Sequence, residues 1–250
     1  MICFWSRLNA YNFWKVSVVN SKRHVQNRLA AAALYALGFL MPWSLRRRWL
    51  SIWFGYELHP SSWIGYAWVM PERLVLGMEA RIGHMNVCRR LDLVELGPYA
   101  RMGQWNWITG TSADDPQFYQ HVSQRRSQLV MGQHSALTSR HYVDCAESVT
   151  IGAYATVAGI RTQFFTHSLD IEQSQQSARP IEIGAYTMIG TGSTLLPGAS
   201  LPDRAVLGAG SVVTGPLTEP LYLYAGVPAK PIRKLPATLK YFERTHGRIF

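Results

Sequence analysis

The chain has 250 residues, 48% of them hydrophobic and 16% charged, with a formal net charge of +10. That apolar share excludes a disordered chain, and the length suffices for one main domain with a large core. The three cysteines, Cys3, Cys88 and Cys145, have neither a disulfide-framework nor a metal-ligand spacing. Such an odd count suits a reducing cytoplasm.

The positive charge is concentrated at the start. The first fifty residues hold Arg7, Lys15, Lys22, Arg23, Arg28, Arg46, Arg47 and Arg48 and no Asp or Glu. An apolar run from Leu29 to Trp43 ends near Arg46. It is short for a membrane span and is interrupted by Gly38 and Pro42. No small-residue cleavage site follows, which argues against a secretory signal. Residues 1–58 therefore read as a basic, aromatic-rich helical segment with two alternatives. It is either a cap over the start of the next domain, with its arginines turned to solvent, or a helix resting on an anionic membrane surface. The segment before residue 21 shows no clear pattern. The basic residues form no stripe interleaved with aromatics inside a nucleic-acid module, so no nucleic-acid partner is expected.

From residue 59 to 215 the dominant signal is a period of six. Aliphatic side chains fall at Ile183, Ile189, Leu195, Leu201, Leu207 and Val213 without a break. Earlier runs are Leu76, Ile82, Cys88 and Val94; Leu96, Met102 and Ile108; Met131, Leu137 and Val143; and Cys145, Ile151 and Val157. This period fits neither a helix nor a simple strand. It fits a triangular solenoid in which each side uses one hexapeptide and each aliphatic stacks on the next coil. About seven coils are expected, with Cys88 and Cys145 as buried thiols. Glycines such as Gly83, Gly184, Gly190 and Gly208 follow the aliphatics, and are expected to supply positive φ at the corners. Residues 111–127 and 168–180 are polar, break the rhythm and read as ejected loops, where function is often carried. Residues 216–250 read as a closing segment with a short helix near Ala237 to His246.

Four stretches carry a resemblance to a known family: Thr166-His167-Ser168-Leu169-Asp170, RPIEIGAYTMIGTG, LPGASLPDRAVLGAGSVVTG and AGVPAKPIR. Over residues 59–235 the chain is similar to the hexapeptide-repeat acyltransferases, left-handed parallel β-helix acetyltransferases acting on sugars and related acceptors. The left hand comes from the resemblance, since spacing reveals a coil and not its sense. The expected fold is all-β, a left-handed parallel β-helix with short helical segments at both ends. The resemblance implies acetyl transfer from acetyl-CoA to a hydroxyl, a sugar in polysaccharide or glycolipid synthesis as acceptor, and a homotrimer with its sites between subunits.

By the same resemblance His167 is the general base, a role suited to an imidazole that titrates near neutrality. Asp170 is taken as its catalytic partner, with Glu172, Asp144 or a backbone carbonyl as other groups that could orient the ring. Thr191, Ala209 and Thr214 would line the pantetheine arm of CoA, and Lys230 and Arg233 would meet its phosphates. Gly215 stands where many relatives have lysine. Many sugar acetyltransferases of the family have an Asn on the coil before the histidine. Residues 137–144 contain none, and Arg140, His141 and Asp144 are the acceptor-binding candidates. No metal is expected, because His134, His141 and His167 do not share one repeat phase. The rival readings are a xenobiotic or serine-type acetyltransferase and a trimeric β-helix scaffold without chemistry. The expected location is cytoplasmic, on the inner face of the membrane if the first fifty residues bind lipid.

Overall fold

The computed structural model describes residues 28–249, apart from Pro116, Gln120 and Ser123. Cys3 and the patternless N-terminal stretch lie outside the described residues. Short parallel strands wind through three sheets in turn. The first face runs from Glu57–Leu58 to Ser200–Leu201, the second from Trp63–Ile64 to Val206–Leu207, and the third from Trp68–Met70 to Val212–Val213. Each face has seven such strands, so the coil makes seven turns.

The six-residue aliphatics all point inward. Leu76 pairs in register with Leu96, which pairs with Met131. Ile151 and Ile183 continue the same column. These side chains, together with Cys88, Cys145 and Phe164, form one continuous buried cluster. Each buried Leu, Ile or Val contributes about 1.5–3 kcal/mol relative to exposure. The two-residue slip at Val94 and Leu96 has a simple cause. The strand Leu93–Leu96 buries both residues on the first face, so the step from Cys88 on the third face to Leu96 on the first is two residues longer than the others in that coil.

The corners follow a different rule from the expected one. Gly83 and Gly190 lie outside the positive-φ region. They are glycine because the next coil is too close. A Cβ at Gly83 would lie 2.2 Å from the Gly103 carbonyl oxygen, and one at Gly190 would lie 2.5 Å from the Ala209 nitrogen. The left-handed φ falls two residues later, on glycine at Gly192 and Gly210 and on side-chain-bearing residues such as Met85, Tyr99, His134, Tyr154 and Tyr186 elsewhere. From the second coil on, the last residue of the corner between second and third faces points inward and is polar, whereas the first coil has Ala67 there. Asn86, Asn106, His141, Thr162, Ser193 and Ser211 are all buried there. Asn86 Oδ1 accepts the Asn106 N–H at 2.9 Å, and Asn106 Oδ1 accepts the His141 N–H at 3.0 Å. These side chains satisfy backbone groups that a tight turn leaves unpaired.

Helices α1 (Arg28–Leu37) and α2 (Trp43–Phe54) close the open end of the first coil. Tyr35 and Leu50 join the main core. The Tyr35 hydroxyl donates to Ala67 O at 3.1 Å and accepts the Val69 N–H at 3.1 Å. Arg46 departs from the expectation that the cap arginines face solvent. It is buried, its guanidinium donates to Gly65 O at 2.9 Å and lies 4.4 Å from the Phe39 ring centroid. The carbonyls at the coil's unpaired end supply its partners. Arg48 is exposed and Arg47 partly so. None of the helices among the described residues is long and apolar enough to cross a membrane.

At the other end, Tyr222–Ala225 extends the second face, and Lys230–Lys234 folds back antiparallel on it. Helix α3 covers only Lys240–Glu243. It is shorter than expected because the chain beyond it bonds back to the coil, with Arg244 donating to the Tyr154 carbonyl. The corner argument yields a paired test. Gly83→Ala should lower stability by about 1–3 kcal/mol in chemical unfolding, because the coil spacing must give. Gly215→Ala, with nothing within 4 Å of the added methyl, should change it little.

Candidate active site

The corner from the third face to the first differs from the other two by its insertions. One joins Trp107–Gly110 to Gln128–Met131, the other joins Gln163–Phe164 to Ile181–Ile183. The second contains a hairpin, His167–Asp170 against Gln175–Ala178. His167 is the first residue of that hairpin, held at the coil edge while the rest projects outward.

His167 Nδ1 lies 2.8 Å from Asp144 Oδ2. A carboxylate can only accept, so Nδ1 carries the proton and Nε2 presents a lone pair. The aspartate sits on the preceding coil in strand Tyr142–Cys145. It is buried, and its Oδ2 also accepts the Thr166 hydroxyl at 2.8 Å and the Thr166 N–H at 2.9 Å. Burial alone would raise the Asp144 pKa, but the bonds from His167 and Thr166 outweigh it and hold the carboxyl below its usual value. The bond to Asp144 raises the His167 pKa, opposed in part by desolvation. The His167 side chain is 38% exposed and that of Asp144 8%. A fixed carboxylate thus orients a ring whose other nitrogen is open, an arrangement competent for general-base chemistry.

The first insertion packs beside this pair. Tyr119 is buried against Ala146 and Ala178. Its pKa is pushed up to about 12 by burial and by the nearby Asp144 charge. Arg125 is buried, donates to the carbonyls of Thr111, Ser112 and Ala146, and lies 4.8 Å from the Tyr119 ring centroid. Asp92 anchors the loop start by accepting the Ser112 hydroxyl at 2.7 Å. Neither Tyr119 nor Arg125 carries a sequence signal beyond lying in a polar insertion.

Asp170 is not the partner of His167. It lies out along the hairpin, where Oδ1 accepts the Gln173 N–H at 3.0 Å. The hairpin carries its side chain away from the coil edge, whereas Asp144 reaches the histidine from one coil below. Glu172 is exposed at the hairpin tip. Asp144, a candidate for acceptor binding, has its Oδ2 engaged with the His167 ring and Thr166. His141 is also unavailable to an acceptor. Its Nε2 bonds Thr138 Oγ1 at 2.8 Å, its Nδ1 accepts the Thr162 N–H at 3.1 Å, and burial pushes its pKa down to about 4. Arg140 is exposed at that same corner with φ +60°. Tyr142 and Phe165 instead form an aromatic surface beside His167 on the third face, with Trp107 beyond them.

Thr191 and Ala209 stack on the corner between second and third faces, with the Gly210 N–H donating to Thr191 O at 2.9 Å. Thr214 lies across the third face from them, at the corner that carries His167. The three therefore flank one face rather than share one edge. Lys230 and Arg233 are exposed on the folded-back strand beyond the last coil. His134, His141 and His167 occupy three different corners, so they cannot converge on one metal ion.

No family model matches the chain. A "putative acetyltransferase" of Schizosaccharomyces pombe is 41% identical over 73 residues, 28% of this chain and 35% of that protein. One of Saccharomyces cerevisiae is 38% identical over 72 residues, 28% of this chain and 36% of that protein. The chain thus spans about a third of the length of these curated relatives. Among solved structures, the polysialic acid O-acetyltransferase OatWY superimposes with a TM-score of 0.56 at 14% identity, covering 76% of this chain and 92% of that one. A mutant of AntD, an N-acyltransferase from Bacillus cereus in complex with dTDP-4-amino-4,6-dideoxyglucose and coenzyme A, gives 0.53 at 16% identity, covering 64% of this chain and 83% of that one. The fold is the left-handed parallel β-helix of the hexapeptide-repeat acyltransferases.

The pair makes a prediction that does not depend on any substrate. An NMR titration of the His167 ring should give a pKa above the ordinary 6.5, and Asp144→Asn should lower it. An unchanged titration in the variant would remove Asp144 from the site.

Proposed function

We propose that this chain, a β-helix of the hexapeptide acyltransferase type, moves an acetyl group from acetyl-CoA to a hydroxyl of a sugar or glycoconjugate. The observation that carries the reading is His167 with its Nδ1 held by buried Asp144 and its Nε2 open. Nε2 removes the hydroxyl proton as the oxygen attacks the thioester carbonyl carbon. The tetrahedral intermediate then collapses, the carbon–sulfur bond breaks, and the imidazolium returns its proton to the departing thiolate. Asp144 stabilises the imidazolium between the two steps.

Several features support the substrates. The short matches to proteins named for acetyl transfer agree with the acyl donor. AntD binds coenzyme A on the same fold. Lys230 and Arg233 offer exposed cations beyond the last coil for the phosphates. The exposed ring of Trp107 and the Tyr142–Phe165 pair offer a sugar an apolar platform next to the base. This replaces Arg140 and His141 as the acceptor surface. Hydroxyl transfer is preferred to amine transfer because an alcohol needs a base to become a nucleophile. The reading retains the homotrimer, in which a neighbouring subunit would complete the coenzyme groove.

His167→Ala should cut acetyl transfer by on the order of 10²-fold or more while the circular dichroism of the coil is unchanged. Lys230→Ala/Arg233→Ala should weaken acetyl-CoA about tenfold or more in calorimetric titration. Full turnover without His167 would end the proposed mechanism.

We propose further that the cap rests on an anionic membrane, on its inner face in the cell. Leu29, Leu37, Leu40, Leu45 and Ile52 are at least half exposed on the cap, and Arg48 stands among them. No acidic residue precedes Glu57, so nothing there repels anionic headgroups. The full chain should co-sediment with vesicles rich in phosphatidylglycerol and not with neutral ones. Leu40→Glu/Ile52→Glu should abolish that binding.

A further inference from the structure

A cleft lies on the corner between the first and second faces, away from His167. The rings of Tyr99, His134, Tyr154 and Tyr186 stack there coil upon coil, with centroids 4.7, 4.9 and 4.6 Å apart. The C-terminal segment lies along this column. The Tyr186 and Tyr154 hydroxyls donate to the carbonyls of Arg244 and Thr245, each at 3.3 Å, and the Gly247 N–H donates to His134 Nδ1 at 3.2 Å. Segment and corner line an open cleft of about 370 Å³, bordered among others by Glu79, Arg81, Tyr99, Arg101, His134 and Arg248. That is a volume typical of small-molecule sites.

The charge balance of the cleft is uneven. Arg81 pairs with Glu79 at 3.2 Å. Arg101 and Arg248 have no carboxylate partner among the described residues. Partial burial, then the Arg248 and Arg81 charges, lower the Arg101 pKa, opposed in part by the Glu79 carboxylate. The cleft therefore gathers three arginines against one glutamate, with Arg101 partly out of water and Arg81 and Arg248 exposed, an arrangement that an anion would relieve.

We propose that this cleft binds an acidic saccharide, its carboxylate or phosphate bridging Arg101 and Arg248 and its ring lying against Tyr99. The anion site stands on the charges and the cleft alone. The saccharide rests on the acceptor reading above. The cleft spans the second to fourth coils, whereas Lys230 and Arg233 follow the seventh. At roughly 4.8 Å per coil the two basic clusters are separated along the axis by about 15 Å or more. The cleft is therefore not part of the coenzyme site. A saccharide held there would be gripped by its charge at a point remote from the reacting hydroxyl, where binding energy can serve specificity.

Calorimetric titration of the full chain with trigalacturonic acid, UDP-glucose and neutral maltotriose tests this. Trigalacturonate supplies carboxylates and UDP-glucose a diphosphate, so the two separate the sources of the anion. At least one should bind at millimolar concentration or below, and maltotriose should not. Arg101→Gln/Arg248→Gln should weaken that binding about tenfold or more. Arg248→Gln alone, on the exposed tail, should weaken it without changing the melting temperature. The proposal fails if neither anionic probe binds, if maltotriose binds equally well, or if binding survives the double substitution. Acetyl-CoA titrated in parallel reports on the transferase reading separately, because its affinity should be the same in both variants and the unsubstituted chain.

Discussion

Every coil must sit one strand spacing from the next, and that spacing governs the rest of the molecule. Parallel strands hydrogen-bond at about 4.8 Å, on the faces and around the corners alike. At a corner this leaves less room than a Cβ requires, as Gly83 and Gly190 show. The same short rise lines up equivalent side chains of successive coils. Inside, that alignment makes a column of aliphatics. At one corner it makes a buried ladder of amides, hydroxyls and one imidazole, and on the outside of another it makes a stack of aromatic rings.

Chemistry appears where the alignment is broken. Two corners turn within a few residues and leave no freedom for a loop. The third, from the third face to the first, carries both long insertions. Asp144 and Thr166 come from adjacent coils, so inter-coil spacing sets their separation and the fold places the carboxylate under the histidine without a flexible link. The proposed base is thus built on the rigid edge of the solenoid, while the hairpin beyond His167 and the loop bearing Tyr119 wall its surroundings. In the proposed reaction such preorganisation would let a single imidazole act without reorienting.

The coil was legible from residue 59 onward because the six-residue period is a direct image of the faces. So were both insertions and His167, through the break in rhythm and the motif around it. The partner of His167 was legible only as one of several candidates, Asp144 among them. Asp170 is near in sequence, yet the hairpin carries it away, and Asp144 is near only once coils stack. Spacing along the chain says little about which residues meet across coils when insertions of different length intervene. His141 resembled a ligand for a related reason, since nothing local distinguishes an inward corner residue from an outward one. The glycine positions are legible in the period, whereas their cause at Gly83 and Gly190, close approach to the next coil rather than positive φ, is not. Arg46 looked solvent-facing because no sequence feature shows that the end of a solenoid leaves carbonyls in need of a buried donor.

The most direct check is a structure of the full chain with acetyl-CoA bound. The account places the thioester carbonyl carbon within roughly 3–5 Å of His167 Nε2, close enough for a hydroxyl to lie between them. It also keeps the Asp144–His167 bond intact and puts the coenzyme phosphates near Lys230 and Arg233. A thioester bound elsewhere, or an Nε2 turned away from it, would contradict the proposed base.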